Sequence, residues 1–173
     1  MNGIDVLTDL ATRPRDLVAN LRGSIRPADL NAHPGGHDNS IAWLLWHTGR
    51  ELDVQVAHLH GGDEVWPRFR DRFGLGELGD TIGYGHSPAE ARSIVFDNAS
   101  DVFEYIEACV DDLLEYLATL ADADLDEVID TNWTPHVTRG VRLVSVVDDA
   151  VQHLAQAAYV VGMRGAEDSS PRG

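Results

Sequence analysis

Asp149 and His153 stand four residues apart in "DDAVQHLAQAAYVVGMRG", residues 148–165. On a helix, positions i and i+4 lie one above the other, so one helix can offer a carboxylate and an imidazole to a single divalent ion. A further histidine, His47, lies in "NSIAWLLWHTGRELDVQ". Together the three make a set of two imidazoles and one carboxylate. Three protein ligands leave one coordination position open, which is the catalytic rather than the structural pattern for zinc. The same set also suits Fe(II), Ni(II) or Mn(II). An acid and a histidine at this spacing equally serve as a plain hydrogen-bonded surface pair, so their neighbours must decide.

Those neighbours are read by stepping each helix at about 100° per residue. The last helix is expected from about Val141 to Met163, with Leu143, Val147, Ala150, Leu154, Ala157 and Val161 as its core stripe. Asp149, His153 and Gln156 fall on one shoulder of that stripe beside Val146 and Val160, whereas Asp148 points to water. A second helix, "IAWLLWHTGRELDVQVAHLH", is capped by Asn39 or Ser40 and closed by Gly61 and Gly62. His47 lies on its shoulder with Trp43, Leu44, Glu51 and Val54. Facing shoulders of two bundle helices converge on an interior site.

Two more helices complete the pattern. The first runs from about Asp5 to Leu21 and is interrupted at Pro14. The third starts at "SPAE", with Ser87 as cap, Pro88 at the first position and Glu90 closing a capping box, and continues to about Leu120. The connection over residues 63–86 holds five glycines and is longer than a compact domain usually needs. No strand is expected, and "DEVID" reads as a turn of helix. The expectation is an all-α four-helix bundle with long connecting loops, one domain over residues 1–165, and a disordered tail over 166–173.

The formal charge of −16 disfavours nucleic acid and anionic membrane surfaces as partners. Cys109 is the one cysteine, which rules out an intrachain disulfide and a CxxC zinc site, and it reads as a packing residue. No signal peptide and no apolar run of ~20 residues is visible, which points to a cytoplasmic protein. Glu51, one turn after His47, is a candidate acceptor for its imidazole. His86 and His136 are loop histidines and candidates to approach a site mouth, Trp43, Trp46 and Trp133 are candidate walls or plain core residues, and Arg139 and Arg142 are candidate carboxylate holders or plain ion-pair partners. His58 and His60 read as surface residues at a helix end. GxSxG, Walker and HExxH patterns are absent.

The two quoted segments, in this order and spacing, resemble the DinB/YfiT-like metalloenzyme superfamily. More narrowly they are similar to its actinobacterial branch of mycothiol-dependent transferases and maleylpyruvate isomerases. The resemblance implies a four-helix bundle holding a divalent metal, zinc or nickel, on one histidine of the second helix and two ligands of the fourth. Many members carry HxxxH on the fourth helix and the isomerase branch ExxxH; here the matching positions are His47, Asp149 and His153. The aspartate is one methylene shorter than glutamate. The activity implied is transfer of a low-molecular-weight thiol of mycothiol type to an electrophile. The alternatives are metal-dependent hydrolysis, thiol-assisted isomerisation, and a non-enzymatic helical stress-response module. The partners expected are a small thiol and an electrophilic substrate, with a homodimer through bundle faces compatible with the pattern.

Overall fold

The computed structural model describes residues 1–168, with side chains as far as Met163. In chain order the helices are α1 (Gly3–Ala11), α2 (Arg13–Leu21), α3 (Pro27–Leu30), α4 (Ile41–His60), α5 (Arg70–Phe73), α6 (Pro88–Arg92), α7 (Ser100–Leu117) and α8 (Arg139–Asp168). α1 and α2 part at Thr12, and Pro14 falls in the first turn of α2, where its missing N–H leaves no hydrogen bond unmade. Ser40 caps α4 by accepting from Trp43 N, and Gly61, in the left-handed conformation, ends it.

The long helices pack as a bundle. α4 packs against both α7 and α8, and α2 covers the other side of that pair. The first half of α4 is therefore buried nearly all round: Ile41, Leu45, Trp46 and Leu52 are fully buried, and so are the polar Thr48 and Asp53. Paired residues give the directions. Tyr105 meets Asp53 and Asp112 meets His60, so α7 runs parallel to α4. His153 meets His47 and Arg142 meets Gln55, so α8 runs antiparallel to it. A parallel α4–α7 pair requires a crossover, and residues 61–99 supply it.

The expected third helix is two helices. Its SPAE start forms as read, with both capping-box bonds, but α6 ends at Arg92 and α7 begins only at Ser100. Polar side chains take the backbone groups a continuous helix would need. Asn31 accepts from Phe96 N and donates to Phe96 O, and Asn98 accepts from Ser100 N. Ile94 still reaches the core, whereas Val95 is exposed.

The expectation of no strand is also corrected. Val128–Asp130, within "DEVID", pairs antiparallel with Val137–Thr138. This small hairpin fixes the start of α8. Arg139 donates to Asp124 O, to Tyr116 Oη and to Glu127. α8 accordingly begins at Arg139 rather than Val141 and runs past Met163. Residues 169–173 of the expected tail lie outside the described residues. Among the described residues, no helix is long and apolar enough to cross a membrane.

Cys109 is fully buried in the α4–α7 seam, where its thiol donates to Gly49 O at 3.6 Å. Burial pushes its pKa well up, so little thiolate forms. The native protein is expected not to react with Ellman's reagent at pH 8, and to release one thiol per chain in denaturant. Equal reaction rates in both conditions would show the seam to be open.

Candidate metal centre

The bundle brings the three singled-out residues together. His47, Asp149 and His153 each offer one ligand atom, and the three atoms lie within 4.8 Å of one another. The His47 and His153 rings meet edge to face with centroids 4.6 Å apart. Asp149 Oδ1 lies 3.5 Å from His153 Nε2. The shoulder reading of α8 holds: Leu143, Val147, Ala150, Leu154 and Ala157 are buried, Asp149 and His153 are half-buried, and Asp148 is exposed and pairs with Gln152.

Each imidazole is oriented by an oxygen acceptor. His47 Nδ1 donates to the carbonyl of Ile82, and His153 Nδ1 donates to Gln156 Oε1 at 2.9 Å. Neither acceptor carries a proton, so each ring holds a proton on Nδ1. His47 then presents Nε2 as a lone-pair donor, whereas His153 Nε2 faces Asp149 Oδ1 and gives up the proton it shares with that carboxylate when it binds a cation. The expected acceptor for His47, Glu51, is instead engaged by Gln55 at 3.5 Å. A main-chain carbonyl replaces it because the long connection folds back over α4. Gly83, next in that segment, has φ +87°. A Cβ there would stand 3.0 Å from His47 Nδ1 and 2.9 Å from Trp46 Cζ3, so only glycine fits this approach without displacement.

The electrostatics suit a cation. Burial lowers the pKa of His47, which keeps it neutral. The hydrogen bond between His153 and Asp149 raises the pKa of the former and lowers that of the latter. Glu51 is close enough to both to interact with them, and burial together with Asp149 raises its pKa.

Trp43 walls the site, stacked on His47 at 4.5 Å between ring centroids. Its indole N–H donates to His86 Nδ1 at 3.3 Å, which leaves His86 Nε2 as the donor to Thr81 Oγ1 at 2.9 Å. His86 thus reaches the wall of the site but joins no ligand set. The other candidates lie elsewhere. Trp133 is 65% exposed and His136 is exposed, so neither lines the centre. Arg139 anchors the hairpin, and Arg142 donates to Gln55 and Asp130. His60 pairs with Asp112, and His58 is exposed.

The residues present fit a divalent ion. Asp149 Oδ2 is inaccessible and has no hydrogen-bond partner among the described residues, although the side chain as a whole is 42% exposed. A buried carboxylate oxygen without a donor is costly unless something positive meets it. Two ligand bonds of ~2.1 Å span at most ~4.2 Å, so a small side-chain adjustment closes the set on one ion.

Comparison with known proteins bears on the fold and the family. The chain is similar to a crystal structure described as a conserved protein from Enterococcus faecalis: 34% identical, with 93% of this chain and 96% of that chain covered, at a TM-score of 0.83. Comparison with curated proteins gives no match. A family model described as the DinB superfamily matches residues 10–157. The chain belongs to the DinB superfamily, a metal-associated family of helical proteins.

Proposed function

We propose that His47, Asp149 and His153 hold one divalent cation, zinc or nickel, and that the site serves a thiol S-transferase. The observation that carries the reading is the convergence, from two helices, of two imidazoles and a carboxylate that keeps one oxygen without a partner among the described residues. A cation on three protein ligands keeps a position open and favours the thiolate form of a bound thiol. In the reaction the thiol gives its proton to solvent water. Its sulfur forms a bond to an electrophilic carbon, and the leaving group departs with its electron pair.

The chain's own residues prepare this chemistry. Ile82 O and Gln156 hold the two imidazoles by their Nδ1 atoms, which leaves the Nε2 atoms for a cation. Asp149 supplies the anionic ligand, and Trp43 shields one face of His47. Cys109 takes no part, being sealed in the core. The thiol therefore comes from solution, and a mycothiol-type thiol is the candidate the family resemblance suggests.

Metal analysis of the purified protein, followed by turnover of a bimane with and without added thiol, tests this. Turnover is expected only when metal and thiol are both present. Metal-loaded protein that ignores a panel of thiols yet hydrolyses esters or amides would replace the reading with metal-dependent hydrolysis. A folded protein that takes up no metal would replace it with a non-enzymatic helical module.

A further inference from the structure

The crossover from α4 to α7 is held to the bundle by two buried charged residues of α4. Asp53, fully buried, accepts from Val65 N and Trp66 N at 2.7 Å each and from Tyr105 Oη at 2.6 Å. Arg50, 2% exposed, reaches the far part of the same segment. Its Nε donates to Thr81 O at 3.1 Å and its Nη2 to Asp80 O at 3.3 Å. Its Nη1 donates to Tyr105 Oη and Glu64, both at 3.0 Å, and lies 3.4 Å from Asp53. The guanidinium carbon sits 4.9 Å from the centre of the Trp66 ring. The Asp80 carboxylate binds Trp66 and Arg70 of the crossover itself, so it does not tie the segment to α4. Trp43 holds His86, several residues further on.

The residue that follows the two carbonyls held by Arg50 is Ile82, whose own carbonyl receives His47 Nδ1. We infer that Arg50 is a positioning residue for the candidate metal centre: by fixing the carbonyls of Asp80 and Thr81 it sets the Ile82 carbonyl that selects the His47 tautomer. The two tautomers of a neutral imidazole are close in energy, so the acceptor at one nitrogen decides which nitrogen keeps its lone pair. With Ile82 O displaced, His47 is free to place its proton on Nε2 and turn an N–H toward Asp149 and His153. The planar fork of arginine suits this task, because one side chain donates to two successive carbonyls and still meets Asp53, Glu64 and Tyr105. Lysine keeps the charge without that geometry. The link to metal affinity rests on the metal reading above; the link to the tautomer does not.

The experiment compares wild type, Arg50→Lys, the charge-neutral double variant Arg50→Met/Asp53→Asn, and Leu113→Ala as a core-destabilised control. Long-range 1H–15N correlations on the metal-free proteins report the His47 tautomer, and zinc competition reports affinity. Wild type and Leu113→Ala are expected to keep the Nδ1–H form. Arg50→Lys and the double variant are expected to show mixed tautomers and zinc affinity weakened by ~10–100-fold, the usual cost of losing a group that orients a ligand. A wild-type tautomer in either Arg50 variant would overturn the inference, as would an equal change in Leu113→Ala. Loss of the native fold in both Arg50 variants would also overturn it, assigning Arg50 to the core alone. If wild type binds no zinc, the metal reading falls while the tautomer comparison still decides the role of Arg50.

Discussion

Alanine at His47, Asp149 or His153 is expected to weaken binding of a divalent metal by more than the ~10–100-fold that follows loss of a supporting hydrogen bond. Each change removes one of three donors lying within 4.8 Å of one another. Asp148→Ala should leave affinity unchanged, because Asp148 is exposed and bonds Gln152 instead. Gln156→Ala should fall between these limits, since it frees the His153 ring without removing a donor. Asp149→Glu and Asp149→His should both retain metal, with altered affinity, because each keeps a donor at that position. Isothermal titration with zinc reads all of these variants, and melting curves of the metal-free proteins separate lost ligation from lost folding. Retained affinity in Asp149→Ala with loss in Asp148→Ala would reverse the assignment of the α8 shoulder.

The convergence of the three candidate ligands is readable in the sequence because they lie on two long, periodic helices. The stripe from Leu143 to Ala157 fixes the rotation of α8, and that rotation places Asp149 and His153 beside the core and Asp148 in water. The pieces that orient the ligands were harder to read. Gln156 lies on the same shoulder, one turn past His153, and that position was a usable signal. Ile82 acts through its main-chain carbonyl, which no side-chain pattern reveals. Gly83 is one of several glycines in the crossover, and nothing local distinguishes the one that must pass over His47 from those that only turn the chain. The break between α6 and α7 escaped for a related reason. Ile94 and Val95 continue a helical spacing, but the competing bonds to Phe96 come from Asn31, distant in sequence. Two short strands likewise depend on each other rather than on a period of their own.

Asp53→Ala is expected to give the largest loss of stability among single changes outside the ligand set. Asp53 is fully buried, and its carboxylate accepts from two backbone amides and a tyrosine hydroxyl besides facing Arg50. Burial raises its pKa, and the donors from Tyr105, Val65 and Trp66 together with the charge of Arg50 oppose that shift. Deletion strands Arg50 with only the partly exposed Glu64 as counter-charge and leaves Val65 N and Trp66 N without their acceptor. Removing one partner of a buried ion pair typically costs ~3–5 kcal/mol, chiefly through the uncompensated charge left behind. For a chain of this size that is a fall in melting temperature on the order of 10 °C. Glu64→Gln gives the contrast. Its side chain is 36% exposed, and an ion pair with one wet partner contributes ~1 kcal/mol or less. Thermal unfolding of both variants, each free of metal, checks the ordering. A loss in Glu64→Gln equal to that in Asp53→Ala would show that Arg50 is balanced from the solvent side. Asp53 would then be only a cap for residues 65 and 66, not the buried counter-charge of the clamp over the candidate site.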